Sequence, residues 1–137
     1  MRNQILNLYG EAINMMQNND NCIGYAVFLG EMEYAYAQDD LTLLSFNENH
    51  THYGTSRSYE NALDMILRFN DPEFNLRQFW NYAFIVKMNE GRIHSEIHQV
   101  FILDKESFKY RYLTEKDIED YANRKCIQPI RKFKFIW

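Results

Sequence analysis

Hydrophobic positions recur along the chain with two spacings, and each spacing predicts a different kind of element. Over 2–19 the apolar residues lie three and four positions apart, which is typical of one face of an amphipathic helix. They are Ile5, Leu8, Tyr9, Ala12, Ile13 and Met16. The run NNDN at 18–21 favours a turn, because Asn and Asp side chains hydrogen-bond their own backbone. We therefore expect a helix over 2–19.

Between 22 and 46 the pattern changes to alternation, which predicts three antiparallel strands. A two-residue turn at Gly30-Glu31 would place apolar side chains on a shared face of the first hairpin. The pairs are then Leu29 with Met32, Val27 with Tyr34, and Tyr25 with Tyr36. The second turn, at Gln38-Asp39-Asp40, leads into a strand over 41–46. A helix over 31–37 is the alternative, because Glu, Met and Ala favour helices.

The polar run NENHTHYGTS at 47–56 predicts a loop. Ser58 then has the chemistry of an N-cap for a helix with one apolar stripe. The stripe consists of Tyr59, Ala62, Leu63, Ile66 and Leu67. Asn70-Asp71-Pro72 ends this helix, and Asp71-Pro72-Glu73 favours a short helical turn after it.

A second three-stranded meander is predicted over 79–113. The segments 79–88 and 92–103 flank Glu90-Gly91, and a turn there aligns mostly apolar pairs. The pairs are Met88 with Ile93, Val86 with Ser95, Phe84 with Ile97, Tyr82 with Gln99, and Trp80 with Phe101. A turn at 104–107 leads into the third strand, at 108–113.

The last helix is predicted from Thr114 and Asp117, which have the spacing of a capping box. Alternation returns at 130–137, which predicts a final strand. The expected order is α-βββ-α-(α)-βββ-α-β. We therefore predict a single α+β domain over 1–137, with two antiparallel three-stranded meanders, a C-terminal strand and three to four helices. A length of 137 residues suits one domain, and no Gly-, Pro- or Ser-rich linker divides it.

Composition narrows the class of protein. Hydrophobic residues make up 46 %, enough for a packed core, and no apolar run reaches the ~18 residues of a membrane span. Cys22 and Cys126 lack CxxC spacing and no signal-peptide pattern is seen, so we expect reduced thiols in a cytoplasmic protein. A net charge of −4 argues against nucleic acid as the direct ligand, although 108–112 and 131–135 interleave basic and aromatic residues.

Charge is distributed unevenly along the chain. No Lys or Arg lies between Arg2 and Arg57, whereas nine basic residues accompany six acidic ones from Asp104 onward. Carboxylates mixed with tyrosines in the cation-free stretch suit a tight interface with a basic protein. The predicted partner-binding residues are Glu31, Glu33, Tyr34, Tyr36, Asp39, Asp40 and Glu48.

The motif HSEIH at 94–98 is the strongest candidate for chemistry. An alternative catalytic set is His94, Glu96 and His98, with Glu96 as a base or as the residue that orients a histidine. The predicted register pairs Glu96 with Ile85 and places the motif on one strand face with Lys87. On a strand the Cα atoms of the two histidines lie ~13 Å apart, which disfavours a shared zinc ion. The HExxH pattern is also absent, because Glu stands third in the motif.

An alternative metal site would combine all four histidines, if the 47–56 loop folded over the second meander. They are His50, His52, His94 and His98. The i, i+2 spacing of the first pair projects both side chains to one side of an extended backbone. No further ligand lies next to them in the sequence, and our leading expectation is that the protein uses no metal or other cofactor.

Three classes of function fit these features. The leading hypothesis is a small cytoplasmic inhibitor, similar to the immunity proteins or antitoxins of bacteria and phages, that docks a basic partner such as a nuclease toxin. The second is a histidine-dependent enzyme that acts on a small or phosphate-bearing substrate. The third is a small-ligand sensor, because a curved sheet wrapped by helices can enclose a pocket.

Overall fold

A computed structural model describes residues 4–6, 12–14, 22–73, 80–89 and 95–136. Ten strands and two helices lie within these ranges. They are β1 (Gln4–Leu6), β2 (Ala12–Asn14), β3 (Cys22–Gly30), β4 (Met32–Gln38), β5 (Leu41–Phe46), β6 (Thr51–Ser56), α1 (Tyr59–Arg68), β7 (Tyr82–Asn89), β8 (Ser95–Asp104), β9 (Lys109–Tyr112), α2 (Glu115–Arg124) and β10 (Lys132–Ile136).

The strands form two sheets and a short ribbon. The larger sheet has the order β6-β3-β7-β8-β9, and all its neighbours are antiparallel. The smaller sheet has the order β10-β5-β4, in which β10 runs parallel to β5 and β4 runs antiparallel to it. The ribbon pairs β1 with β2. The predicted architecture of two three-stranded meanders with three to four helices is therefore wrong, because the protein is mostly sheet.

Two hydrophobic clusters lie on opposite faces of the larger sheet. One face packs against α1, through residues such as Val27, Ile85 and Ile66. The other face packs against the smaller sheet and α2, through residues such as Phe84, Phe46 and Ile118. Because both of its faces are covered, the central strand β7 is buried along nearly its whole length.

The N-terminal helix predicted over 2–19 is replaced, in its described residues, by the strands β1 and β2. Ile5 and Ile13 would lie on the same stripe of a helix, but here they are cross-strand partners. An apolar spacing of eight residues is compatible with a helix and with a pair of antiparallel strands. The spacing therefore predicted the wrong element for these residues.

The hairpin predicted at Gly30-Glu31 is wrong, although strands lie on both sides of it. β3 pairs with β6 on one side and β7 on the other, and at Glu31 the chain crosses to the smaller sheet. Gly30 fits the crossing because a Cβ atom there would lie 2.9 Å from His50 Cβ. Alternation specifies which face is buried, and it does not specify which strand lies alongside.

The loop predicted over 47–56 is wrong for its second half, which forms β6. This strand lies at the edge of the larger sheet and is mostly exposed, which accounts for its polar composition. Residues 74–79, where a short helical turn was expected to follow Pro72, lie outside the described residues.

Turns and helix caps were predicted more reliably than the strand partners discussed above. The turn at Asp39-Asp40 joins β4 to β5, and Asp39 adopts a φ of 55°, a left-handed conformation that Asp tolerates better than most residues. Ser58 caps α1, and Thr114 forms a full capping box with Asp117 at the start of α2. The β7–β8 and β8–β9 pairings are confirmed as well.

The register of the β7–β8 pair differs from the predicted one. Val86 pairs with Ile97 instead of Ser95, a shift of two residues that keeps the predicted faces. A β-bulge then leaves His98 as an extra residue between the pairs Val86–Ile97 and Ile85–Gln99. Beyond the bulge, each β8 side chain points to the face opposite to the predicted one. The turn at Glu90-Gly91 lies outside the described residues.

Candidate functional site

The first candidate surface runs along β4, the outer strand of the smaller sheet. Among the described residues β4 pairs with no strand other than β5, and α2 approaches β4 where the Tyr121 hydroxyl lies near the backbone of Tyr34. Tyr34 and Tyr36 are 40 % and 51 % exposed, high values for aromatic side chains. We call Glu33, Tyr34, Tyr36, Asp39 and Asp40 the acidic–tyrosine edge; all five are exposed, either on β4 or in the turn after it.

Two residues predicted to bind a partner lie outside this edge. Glu31 is half-buried, and its carboxylate accepts hydrogen bonds from Asn81 N and Asn81 Nδ2, both at 2.6 Å. Its role is to hold the crossing between the sheets against the start of β7. Glu48 is exposed in the turn after β5, next to Asn47, which donates a hydrogen bond from Nδ2 to Glu33 Oε1.

The fold brings cations from the end of the chain beside the acidic turn. β10 pairs with β5, and Lys132 is the partner of Leu41, the first residue after the turn. Tyr34, Asp39 and Asp40 therefore share a groove of about 760 Å³ with Arg131 and Lys132. The negative charge on one flank of the acidic–tyrosine edge is thus partly neutralised by these two cations. The sequence pattern did not predict this contact, because the parallel pairing of β5 with β10 joins segments that lie far apart in the chain.

The structure separates the described histidines onto two faces of the larger sheet. His50 and His52 lie against Phe28, with ring centroids 5.3 and 5.1 Å away, on the face toward the smaller sheet. His98 lies on the α1 face, against Tyr25 and Tyr59.

A four-histidine metal site is not assembled by this arrangement. His94 lies outside the described residues. Within the described part of the chain, no group of three or more His, Cys, Asp or Glu side chains is placed to hold a metal ion. His52 is engaged locally, since its Nε2 lies 2.9 Å from Thr55 Oγ1 and 3.1 Å from Gly54 O.

A polar cluster surrounds the bulge in β8. Lys87 is the cross-strand partner of both Glu96 and Tyr25. The predicted pairing of Glu96 with Ile85 is therefore wrong. Lys87 and Glu96 are 8 % and 7 % exposed, so each buried charge has an opposite charge on the neighbouring strand. Asn89 Nδ2 donates to Glu96 Oε1 at 3.3 Å. Two members of the predicted catalytic set, Glu96 and His98, thus lie within one buried polar cluster.

The His98 imidazole is enclosed by two tyrosines. Its ring centroid lies 5.0 Å from that of Tyr59 and 5.7 Å from that of Tyr25, both in edge-on geometry. Burial, followed by the positive charge of Lys87, lowers the pKa of His98 below its ordinary value. The cluster therefore favours a neutral imidazole at neutral pH.

A second groove, which we call the α2 groove, was not predicted. It has a volume of about 560 Å³ and lies where α2 faces the crossing and the β8–β9 turn. Asn81, Tyr82, Lys105, Tyr121, Arg124 and Lys125 contribute to its lining. These residues come from three separate segments, so no local motif marks the groove.

The comparisons with known proteins identify no relative. No family model matches the chain, no curated protein matches it, and no solved structure matches it. In the described part of the chain, neither helix has the length and apolar character needed to cross a membrane.

Proposed function

We propose that this protein is a protein-binding domain of the inhibitor or immunity type, and that it docks a basic partner along the acidic–tyrosine edge. The observation that carries the proposal is the exposure of Tyr34 and Tyr36 on an outer strand. Two exposed tyrosines on an outer strand offer an anchor for a partner.

The backbone of β4 supports docking by strand addition. An outer strand presents N–H and C=O groups to which an extended segment of another protein can pair. β4 spans seven residues, or roughly 23 Å at the usual rise per residue. The bulge at Ala35, between the pairs Tyr34–Leu44 and Tyr36–Leu43, limits uncontrolled pairing of this edge with other copies.

The charges of the edge favour a basic partner. Glu33 lies beside the tyrosines, and Asp39 and Asp40 lie in the turn at the end of β4. Neither β4 nor β5 carries a Lys or Arg, and the nearby cations Arg131 and Lys132 lie on the one flank of the edge where they share a groove with Tyr34, Asp39 and Asp40. Opposite charge on the partner would speed association, and added salt would slow it.

We include in this proposal that the protein is located in a reducing compartment such as the cytoplasm, and the two cysteines support this location. Cys22 and Cys126 are free thiols in the structure. Disulfides persist in oxidising compartments, whereas free thiols are usual in reducing ones.

Site-specific photo-crosslinking tests the proposal. The photoreactive residue p-benzoyl-phenylalanine is placed at position 36 or at position 112 in separate variants, and each is irradiated in extract from the source cells. Tyr112 is 47 % exposed on the larger sheet and is therefore a matched control for Tyr36, at 51 %. We expect position 36 to capture one basic protein that position 112 does not.

Charge reversal then measures the contribution of the edge, using the captured protein after purification. The variant Glu33→Lys/Asp39→Lys/Asp40→Lys is expected to bind at least about tenfold more weakly than wild type at low salt. The control Asp64→Lys/Glu73→Lys/Glu119→Lys alters three exposed carboxylates elsewhere and produces the same net charge. Equal losses in both variants, or capture of an acidic protein, would refute the proposal.

A further inference from the structure

The α2 groove contains more carboxylates than cations, but most of the carboxylates already bind the protein itself. Asp117 accepts two hydrogen bonds from Arg111, at 2.7 and 2.9 Å, and Asp104 accepts a third at 3.3 Å. Glu31 is held by Asn81, as described above. These three anions are therefore stabilised internally and have little capacity left for a ligand.

The cations of the groove have weaker partners. Arg124 donates a hydrogen bond to the Tyr82 hydroxyl, Lys105 Nζ donates to Asn81 Oδ1 at 2.7 Å, and Lys125 Nζ lies 5.9 Å from the centre of the Tyr121 ring. Within the described residues, no carboxylate lies within ion-pair distance of these three side chains. Three positive charges thus face the groove without an ion-pair partner among the described residues.

The floor of the groove is apolar and aromatic. Met32 and Leu103 are 4 % and 3 % exposed, and Tyr82 and Tyr121 are buried beside them. Burial raises the pKa of both tyrosines to about 12; like any tyrosine hydroxyl, theirs are neutral at physiological pH and do not repel an anion. The volume of about 560 Å³ is within the usual range for a small-molecule site.

We propose that the α2 groove binds a small organic carboxylate, with its head on Arg124 and its apolar body against Tyr82 and Tyr121. A guanidinium presents paired N–H donors in the geometry that a carboxylate accepts. Lys105 and Lys125 add positive potential at the rim. This site is distinct from the acidic–tyrosine edge and does not depend on the function proposed for that edge.

Two exposed carboxylates at the rim of the groove allow a test of whether the bound ligand carries a negative charge. Asp120 lies one helical turn before Arg124 on α2, and Glu106 follows Lys105 in the turn before β9. Both would repel an incoming anion weakly across solvent. Removing either charge should therefore tighten binding, whereas removing the charge of Arg124 should weaken it.

An NMR titration of the full chain with 4-phenylbutanoate provides the measurement. We expect saturable shifts of the Asn81 and Tyr82 amides and of the Arg124 Nε–H signal, with a Kd of roughly 1 mM or tighter. The neutral analogue 4-phenylbutan-1-ol should bind at least about tenfold more weakly, because it lacks the charge that Arg124 recognises.

Variants of the chain complete the test. Arg124→Gln should weaken 4-phenylbutanoate binding at least about tenfold, and Asp120→Asn should tighten it about two- to threefold. Arg68→Gln, at the last residue of α1, is the matched control and should leave binding unchanged. Absence of saturable shifts at the groove, equal binding of the alcohol, or equal losses in the two arginine variants would overturn the proposal.

Discussion

The bulge in β8 places His98 beside charged and aromatic groups from four elements. They are Tyr25 on β3, Tyr59 on α1, Lys87 on β7 and Glu96 on β8. Burial and Lys87 lower the pKa of His98, so the unfolded chain binds this proton at a higher pH than the folded chain does. Stability therefore falls as the pH drops below about 6.5, until the folded-state pKa is passed.

Replacing His98 with Gln removes this contribution. We predict that the free energy of unfolding of wild type declines more steeply between pH 7.5 and pH 5.5 than that of His98→Gln, as measured by urea denaturation. NMR titration of the His98 ring should independently give a pKa below the ordinary value. Parallel declines of the two proteins would show that proton binding at His98 is not coupled to folding.

Sequence patterns predicted the structure correctly where a polar side chain acts on backbone groups within a few residues of its own position. Ser58 and Thr114 cap helices through backbone groups three residues away, and Asp39 turns β4 directly into β5. Partners distant in the chain were missed, because alternation says nothing about which strand lies alongside. β3 thus received a false hairpin partner, and the pairing of β5 with β10 was not foreseen.

The same distinction applies to the candidate surfaces. Tyr34 and Tyr36 were predicted from their own segment, and they are exposed as an interface requires. Glu31 was placed in the same interface, but its carboxylate binds Asn81, which lies fifty residues later. The α2 groove is formed wholly by such distant contacts, so only the folded chain shows it.

The start of α2 is held by the carboxylate of Asp117. Asp117 accepts hydrogen bonds from Thr114 N and Oγ1, at 2.7 and 2.8 Å, and from Arg111. Burial alone would raise the pKa of Asp117, but the hydrogen bonds from Arg111 and Thr114 outweigh it and lower the pKa below its ordinary value. The resulting stabilisation is present at neutral pH and is lost as the pH falls through the folded-state pKa.

We predict that Asp117→Asn lowers the free energy of unfolding by about 1–2 kcal/mol at pH 7. The gap from wild type should begin to shrink below about pH 4, where the unfolded chain binds this proton before the folded chain does, and it should be smallest once the pH lies below the lowered folded-state pKa. Asp120→Asn, at an exposed position on the same helix, should change stability by less than about 0.5 kcal/mol. Urea denaturation across this pH range measures both variants, and a gap that does not change with pH would contradict the prediction.

For the whole molecule, a stack of aromatic rings joins the two sheets. Phe84 lies between Phe28 and Phe46, with ring centroids 5.5 and 3.8 Å away, and Phe46 continues the stack to Phe135 at 5.2 Å. These residues belong to β3 and β7 of the larger sheet and to β5 and β10 of the smaller one. Since neither sheet can lose the shared rings without exposing apolar surface of the other, both should unfold together.

Phe84→Ala tests this coupling, because Phe84 is fully buried at the contact between the sheets. We predict that the substitution lowers the free energy of unfolding by about 3–5 kcal/mol. Wild type should unfold in a single transition, with the same midpoint by far-UV circular dichroism and by tryptophan fluorescence. Leu67→Ala, which truncates a side chain that is 49 % exposed on α1, should cost less than about 1 kcal/mol. Separate transitions for the two probes, or equal losses in the two variants, would mean that the sheets are stabilised independently and that the aromatic stack does not join them energetically.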